Sequence, residues 1–401
     1  MKSIIFHIDV NSAYLSWSAI EELKNGAEID LREVPSIIGG SREDRHGIVL
    51  AKSIPAKKYG IQTGEPVVNA IRKCGNLLIV PPNHEIYSAY SRELMKLLYE
   101  YTPDIEQVSV DECYLDFTGI AHQYKSPESA ANLIKNNIQK ELGFTVNIGI
   151  STTKVLAKMA SDFRKPNLVH TLYLEEIEKK MWPLKVQELF MAGKSSVQTL
   201  HNLGIRTIGE LANTEKGVIE QHLKSQGRRL WEYANGIDDS KVDASETELK
   251  GVGNSVTLPK DITQREEARK VLLSLAEKVA GRLRKRAKKA QSISVEVKNA
   301  EFQKSSHQMQ FIRPENTANE IYGAALRLFD ESWKGEPIRL LGIRTTKLVD
   351  EKEPQQMSIF DMMDNQKIDE KHKKLDEAID DIKKRFGDGA IVRGTFFEKE
   401  K

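Results

Sequence analysis

Runs of apolar residues divide the first part of the chain into strands and helices. Residues 3–10 are typical of a buried strand because of Ile4, Ile5, Phe6 and Ile8, and the strand ends on Asp9 before a helical pattern over 13–23. Similar patterns predict a strand at 47–51, a helix at 86–101, strands over 108–117, a helix at 129–142, a strand at 145–150 and a helix at 152–160. Ser151 is the predicted N-cap of the last helix. This order indicates a split sheet backed by helices.

Two adjacent carboxylates, Asp111 and Glu112, interrupt the apolar pattern of residues 108–118. Burying unpaired carboxylates costs several kcal/mol, on the order of the penalties for buried charge, and a divalent metal is the simplest partner. Neighbouring side chains of a straight strand point to opposite faces, so both acids reach one site only at a turn. Asp9 can lie on the adjacent strand, and three carboxylates fit two Mg²⁺ ions about 3.5–4 Å apart. A helix-capping role for Asp9 remains an alternative.

Composition adds limits to this interpretation. A chain of 401 residues should form two to four domains. Lys+Arg 60 against Asp+Glu 58 gives a net charge of +2, so binding to polyanions requires local basic clusters. Two cysteines, Cys74 and Cys113, fit a reducing compartment. The short apolar start and the lack of any run of ~18 apolar residues predict a cytoplasmic protein without a membrane partner.

Downstream patterns point to nucleic-acid backbone. Residues 193–196 resemble part of a Walker loop, but Glu188 stands where its first glycine is required. Residues 193–196 and the turn glycine in 203–211 favour helices that present backbone N–H groups to phosphates. A generic helical bundle is the alternative. Seven positive charges between residues 278 and 290, without an acid among them, favour duplex backbone over a solvated helix face.

The last segment predicts an amphipathic helix. Leu375, Ile379, Ile382 and Phe386 form one apolar face, and Gly387 ends the helix. Such a face requires a partner, which is either the preceding module or another protein.

Three motifs resemble those of the Y-family translesion DNA polymerases. They are residues 6–9 with Tyr14, residues 109–116, and residues 149–158 continuing to 165–167. The resemblance covers nearly the whole chain. It implies an α+β multidomain right-hand polymerase with a palm (1–10 and 83–172), small fingers (11–82), a helix-hairpin-helix thumb (173–235), a linker (236–249), an α/β little finger (250–349) and a tail (350–401).

The resemblance also assigns roles to residues. Asp9, Asp111 and Glu112 match the catalytic metal ligands, with the carbonyl of Val10 as a further ligand of two Mg²⁺ ions, and Tyr14 matches the steric gate that excludes a ribose 2′-hydroxyl. The expected nucleotide contacts are Ser12, Ala13, Tyr14, Ser53, Lys57 and Lys165. The expected DNA contacts are Gly193, Lys194, Ser195, Lys250, Lys285, Arg286, Lys288 and Lys289. The peptide expected to bind a sliding clamp is Gln356, Met357, Ser358, Ile359 and Phe360.

The fingers depart from the family pattern. Where relatives carry Thr, Tyr and Arg against the phosphates, this chain has Ala51, Ile54 and Lys57. Lys57 keeps the charge of the arginine but lacks its bidentate fork, so Lys52 or Ser53 is expected to compensate.

The function that follows is low-fidelity, template-directed DNA synthesis across damage by a monomer that uses primer–template DNA, dNTP and a bacterial sliding clamp. A catalytically silent, clamp-tethered DNA-binding factor is the alternative, and the three acids argue against it. A two-metal nucleotidyl cyclase is disfavoured by the DNA-binding modules.

Overall fold

The structure is a computed structural model that describes residues 3–40, 47–245, 248–353, 366–387, 389–391 and 394. The chain divides into two compact units, residues 1–246 and 247–401. The first unit contains the segments predicted as palm, fingers and thumb, and the second contains the predicted little finger. These finer domain boundaries stay predictions. In the described ranges, no helix combines the length and the apolar character needed to cross a bilayer.

The first unit alternates strands and helices. Its strands are β1 Ile5–Val10, β2 Ser36–Gly39, β3 Val49–Lys52, β4 Leu78–Val80, β5 Ile105–Gln107, β6 Glu112–Asp116, β7 Val146–Ser151 and β8 Val169–Thr171. Its helices are α1 Ala13–Lys24, α2 Ile54–Lys58, α3 Val67–Lys73, α4 His84–Tyr99, α5 Pro127–Leu142, α6 Lys154–Asp162, α7 Ile177–Lys180, α8 Lys194–Asn202, α9 Ile208–Asn213 and α10 Lys216–Ala234.

The central sheet of this unit has the strand order β5-β6-β1-β7-β8. Strand β1 lies in the middle and pairs antiparallel with β6 and β7. Phe6, Ile8 and Val10 point into a core shared with α1, α4 and α5. Because strand side chains alternate, His7 and Asp9 share the other face, which α6 covers. The predicted split sheet is therefore confirmed, and it gives the acid of β1 a polar environment under a helix.

Gly149 permits close packing between α6 and this sheet. A Cβ placed on Gly149 would lie 2.0 Å from the carbonyl oxygen of Ala157 and 2.5 Å from the nitrogen of Ser161. Only a residue without a side chain fits there, so Gly149 sets how near the polar side chains of α6 come to β1.

Two local predictions in this region are wrong. Residues 108–111 form a turn between β5 and β6, not a strand, and the amides of Val108 and Ser109 both bond the carbonyl of Glu112. Ser151 belongs to β7, and the N-cap of α6 is Thr153, whose hydroxyl accepts from the amide of Leu156. The turn itself is what the adjacent acids required, because it lets both side chains lie at the same strand end.

The rest of the first unit holds a small sheet and a helical region. The small sheet has the order β3-β2-β4. Among the helices, α8 and α9 are joined by a short turn in which Gly204 has φ +83°, a conformation that favours glycine. This is the helix–turn–helix arrangement that the turn glycine predicts.

The second unit is an antiparallel sheet with two helices on one face. Its elements are β9 Gly251–Ile262, α11 Arg265–Arg284, β10 Lys288–Asn299, β11 Lys304–Glu315, α12 Ala318–Ser332, β12 Ile338–Asp350 and α13 Gln366–Phe386. The strand order is β11-β10-β12-β9, and the core lies between this sheet and helices α11 and α12.

The predicted basic cluster is spread over three elements. It covers the end of α11, the following turn and the start of β10. Arg284 does not face outward as expected. Its guanidinium bonds the carboxylates of Asp376 and Asp380 on α13 and the carbonyl of Asn316, and its side chain is only 10% exposed. The cluster therefore loses one of its charges to internal ion pairs.

Helix α13 packs on the second unit through polar contacts. Asp376 also accepts a hydrogen bond from the amide of Ala318 at the start of α12. Of the expected apolar face, Leu375 and Phe386 stay 52% and 75% exposed, whereas Ile379 and Ile382 are half-buried. Asp376 and Asp380 therefore attach α13 to the rest of the second unit.

The segment predicted as a linker, residues 236–249, is partly attached to the rest of the first unit. Asp238 accepts from the amide of Val155, the carbonyl of Lys241 accepts from Lys154, and the amide of Asp243 donates to Glu106. Val242 packs against a small apolar cluster on the sheet. Residues 238–243 are therefore bound to the surface formed by α6 and β5.

Candidate active site

The three predicted acids meet at one end of two adjacent strands. Asp9 lies directly across from Glu112 in the β1–β6 register. The amide of Val10 donates to the carbonyl of Asp111 at 3.0 Å, which ties the turn before β6 to the end of β1. Asp9 is 9% exposed, and the side chain of Glu112 is 28% exposed. The strands thus gather the carboxylates in a half-buried position that a solvent-borne substrate can reach.

Ser109 shapes the turn that carries two of these acids. Its hydroxyl oxygen accepts from the amides of Asp111 and Glu112 and donates to Oδ1 of Asp111 at 2.6 Å. One side chain therefore fixes the backbone of the adjacent acids and the orientation of the first.

Two lysines neutralise part of this negative charge. Nζ of Lys158 lies 3.1 Å from Oε1 of Glu112 and 3.5 Å from Oδ2 of Asp9. Nζ of Lys165 lies 2.8 Å from Oδ1 of Asp9 and 2.9 Å from Oδ1 of Asp162. Burial alone would lower the pKa of Lys165, but the carboxylates of Asp9 and Asp162 raise it above its ordinary value. Lys165 is therefore a fixed positive charge beside the acids.

The carboxyl of Glu112 has a strongly lowered pKa. The His7 side chain beside it, with the ammonium of Lys158, holds the pKa of Glu112 down at about 2. His7 itself is fully buried, and burial lowers its pKa while Glu112 offsets this only in part. Glu112 is consequently ionised throughout the physiological range, as a cation ligand must be.

Tyr14 lies on the first turn of α1, beside this cluster. Its ring stacks on Tyr87 with centroids 4.3 Å apart and meets His84 edge-on at 5.9 Å. Burial and the nearby charge of Asp111 raise the pKa of Tyr14. The rings of Tyr87 and His84 therefore hold the Tyr14 ring in place near Asp111.

The start of α1 offers backbone donors. Ser12 stands in a left-handed conformation with φ 48° and makes no side-chain cap. The first amides of any helix have no partner within it, and the helix dipole favours an anion there. The amides of Ser12 and Ala13 thus lie at a helix start next to Asp9, the position that the predicted phosphate contact requires.

The structure argues against a nucleotide contact by the hydroxyl of Ser53. That oxygen accepts from the amides of Ser36 and Ala56 and donates to the carbonyl of Val34 at 2.7 Å. Because these bonds use both lone pairs and the single hydrogen, the side chain has no capacity left for a ligand. Ser53 is the N-cap of α2.

Lysines 52 and 57 remain the candidates at the fingers. Lys57 is exposed on α2, while Ile54 is 55% exposed and Ala51 packs in a cluster that Tyr14 also contacts. Burial and the positive charge of Lys57 lower the pKa of Lys52. These two cations are thus close enough to repel each other, which favours an anion beside them.

The predicted DNA contacts are placed unevenly. Gly193 is the N-cap of α8, and its amide already bonds Met191, so only Lys194 and Ser195 bring first-turn amides to that helix start. In the second unit Lys250, Lys285 and Arg286 are exposed and Lys289 is half-buried, whereas Lys288 pairs with Asp350 at 2.7 Å. The predicted clamp peptide, residues 356–360, lies outside the described residues.

The three acids are the candidate ligands for a cation. Within the described part of the chain, no group of three or more His, Cys, Asp or Glu side chains is arranged to hold a metal ion. Asp9 and Glu112 nevertheless offer carboxylate oxygens, which Mg²⁺ prefers, and they already share one cation, the ammonium of Lys158. The donor set therefore fits a divalent ion at the end of β1 and β6.

Sequence reasoning missed the residues behind the acids. His7 and Ser161 touch each other under the sheet, and Ser109 organises the turn. The alternation of β1 could have indicated His7, since it lies two residues before Asp9 and hence on the same face. No local pattern marks Ser161, because its position depends on the packing of α6 on Gly149.

Comparison with known proteins identifies the family. Residues 8–162 match the model of the impB/mucB/samB family, and residues 249–359 match that of the impB/mucB/samB family C-terminal domain. The chain is 46% identical over 100% of both chains to a protein of Clostridium acetobutylicum named DNA polymerase IV. It is 36% identical, over 99% of this chain and 98% of the relative, to a protein of that name in Acetivibrio thermocellus.

A solved structure agrees with this result. A Y-family DNA polymerase chimera, Dbh-Dpo4(243-245)-Dbh, superposes with a TM-score of 0.74 and 21% identity over 86% of this chain and 99% of the chimera. The predicted multidomain polymerase fold is confirmed. The chain belongs to the impB/mucB/samB family of Y-family polymerases, as its three motifs predict.

Proposed function

We propose that this protein is a DNA-directed DNA polymerase that extends a primer across damaged template with low fidelity. The observation that carries the proposal is the placement of Asp9 opposite Glu112, with Asp111 bonded through its backbone to the next residue of β1. The names of the relatives support the same activity and give no support to a catalytically silent DNA-binding factor.

The reaction is nucleotidyl transfer. The primer 3′-hydroxyl attacks the α-phosphorus of a dNTP, a phosphodiester bond forms, and diphosphate leaves. Family membership implies dependence on divalent metal, and we propose two Mg²⁺ ions held by Asp9, Asp111, Glu112 and the carbonyl of Val10. Bound there, such ions would activate the attacking oxygen and offset the charge of the leaving group.

The other residues bind and select the nucleotide. Lys165 and the amides of Ser12 and Ala13 provide positive potential beside the acids for the triphosphate. The ring of Tyr14, backed by Tyr87, blocks the space that a 2′-hydroxyl would need. Lys57 takes the place of the family arginine as a single charge without a fork.

Primer extension tests the activity directly. The wild type should extend a primer with Mg²⁺ and dNTP, and Asp111→Ala should not. Asp116→Asn is a matched control, because Asp116 lies at the other end of β6, away from the cluster. Equal extension by the wild type and Asp111→Ala, or none by either, would contradict the proposal.

We further propose that the protein acts as a cytoplasmic monomer tethered to a sliding clamp by Gln356 to Phe360. Deleting these five residues should abolish stimulation by the clamp and leave basal extension unchanged. Unchanged stimulation would refute the tether, and a sedimentation mass of two chains would refute the monomer.

A further inference from the structure

His7 lies in the centre of β1 and has no contact with solvent. A buried polar group requires partners, since leaving one unpaired costs roughly 1–3 kcal/mol. Its Nδ1 lies 2.8 Å from the hydroxyl of Ser161 on α6. Its Nε2 makes no short hydrogen bond, and the nearest acceptor is Oε2 of Glu112 at 3.5 Å. One of the two nitrogens is thus directed at a residue that we place among the metal ligands.

The surroundings of His7 hold the ring in this orientation. On one side the ring contacts Tyr114, with centroids 4.7 Å apart. On the other side it pairs in the sheet with Gly149, where the missing side chain admits α6 and brings Ser161 to the ring. The ring therefore has a fixed plane, and its Nε2 has a fixed direction.

The hydrogen positions follow from the partners. A carboxylate only accepts hydrogen bonds, so the nitrogen that faces Glu112 must carry the hydrogen. The hydroxyl of Ser161 lies 2.8 Å from Nδ1 and also 2.8 Å from the carbonyl of Lys158. The single hydrogen of this hydroxyl donates to the carbonyl of Lys158, so Ser161 fixes the position of the ring by its contact with Nδ1 and does not by itself select the tautomer.

We propose that His7, supported by Ser161, is a positioning residue that aims the carboxylate of Glu112 at the metal. This inference rests on the proposed function, because it assumes that Glu112 is a ligand. Oxygen Oε2 faces His7 and Oε1 faces Lys158, so two different groups hold the two oxygens of one carboxylate. Partners of this kind change metal affinity by about 10–100-fold when they are removed.

Three substitutions of His7 separate positioning from packing. His7→Phe keeps the ring volume and removes both nitrogens. His7→Gln places an amide N–H near the position of Nε2, whereas the shorter amide of His7→Asn reaches only the position of Nδ1. Phe6→Leu is the matched control, because Phe6 is the preceding residue of β1 but faces the opposite core, where it stacks on Phe117.

The first measurement is primer extension as a function of Mg²⁺ at saturating dNTP. His7→Phe and His7→Asn should raise the half-saturating Mg²⁺ concentration about 10–100-fold, with kcat at saturating metal within a few-fold of wild type. His7→Gln should restore the wild-type value to within about 3-fold, and Ser161→Ala should fall between. Phe6→Leu should lower thermal stability without changing the metal dependence.

The second measurement does not depend on turnover. Binding of Mn²⁺ alone, followed by electron paramagnetic resonance on the whole protein, should weaken by the same factor in His7→Phe. Unchanged Mn²⁺ affinity in His7→Phe, or equal values for the Gln and Asn variants, would overturn the positioning role. A wild-type protein that extends no primer would overturn the proposed function instead, so the two failures are distinguishable.

Discussion

The ring of Tyr14 lies almost flat on the ring of Tyr87, with the two planes 8° apart. Tyr87 is 1% exposed and shares a hydrogen bond of 3.0 Å with Ser18, so it is a rigid support. This stacking holds the Tyr14 ring in one orientation. The contact with Tyr87 therefore fixes the position of the Tyr14 ring at the start of α1.

Replacing Tyr14 tests its proposed role as a steric gate against ribonucleotides. Tyr14→Ala should raise the use of ribonucleotides relative to deoxynucleotides by about 10²-fold, the order of discrimination that a pocket achieves against one added hydroxyl. Tyr14→Phe keeps the ring and should keep the discrimination. The measurement is the ratio of kcat/KM for each nucleotide pair. An unchanged ratio in the alanine variant would remove the gate assignment.

The depressed pKa of Glu112 predicts a stability that depends on pH. A carboxyl whose pKa falls from 4.5 to about 2 on folding contributes stability above pH 4.5 and loses it as the pH falls toward 2. Between pH 5 and pH 3 the loss should be on the order of 1–2 kcal/mol, allowing for partial solvent screening.

Urea unfolding of the wild type and Glu112→Gln measures the contribution of the Glu112 carboxylate to the free energy of unfolding. The difference in the free energy of unfolding between the two proteins should shrink from pH 5 to pH 3. The same comparison for Glu93→Gln, an exposed position of α4, should show no such change. A difference that stays constant with pH for Glu112 would show that its carboxylate is not stabilised by the fold.

The acids and their strands were predictable because their signals are local. A mostly apolar run ending on Asp9 and a pair of acids inside another apolar run are each visible within about ten residues. The turn over 108–111 followed from the geometry of adjacent side chains. The strand over 108–110 was wrong because the chain bends one step earlier, where Ser109 satisfies the amides of both acids.

Other features depend on contacts between distant segments. Ser161 reaches His7 across 154 positions of sequence, and Arg284 is neutralised by Asp380 across 96. Composition shows Arg284 only as part of a basic run. Since the partner acids lie on a separate helix, no property of the run itself indicates that one of its charges is buried.

The close approach of α6 to the sheet predicts a large effect of Gly149→Ala. The new methyl group would overlap the backbone of α6, and overpacking of this kind costs typically 1–3 kcal/mol or more. A shifted α6 also moves Lys158 and Ser161 away from β1, so extension activity should fall together with the melting temperature. Gly119→Ala is the control, since a Cβ there meets nothing within 4 Å. Equal melting temperatures for the two variants would contradict the packing described for α6.

The contact between Arg284 and Asp376 predicts that α13 stabilises the second unit. Both side chains are at most 10% exposed, and removing one partner of a buried pair costs about 3–5 kcal/mol. Asp380 still pairs with Arg284 in Asp376→Ala, so a loss of about 2 kcal/mol is expected, with the lost bond to Ala318 included. Asp381→Ala, exposed on the same helix, should be neutral. Thermal unfolding of the full chain measures both, and a neutral Asp376→Ala would show that α13 contributes no stability.

Replacing Lys57 with arginine should strengthen dNTP binding. The lysine presents one ammonium where an arginine would present a planar fork, and the hydroxyl of Ser53 cannot compensate because its bonds are complete. Lys57→Arg should therefore lower KM for dNTP several-fold with little change in kcat, because one added charge-assisted bond contributes about 1 kcal/mol net to binding. Lys58→Arg is the matched control, since Lys58 is the neighbouring exposed residue of α2. A lower KM in both variants would indicate a general effect of arginine on the attraction of phosphate. No change in KM in either variant would show that Lys57 does not contact the triphosphate, and Lys52 would be the next residue to replace.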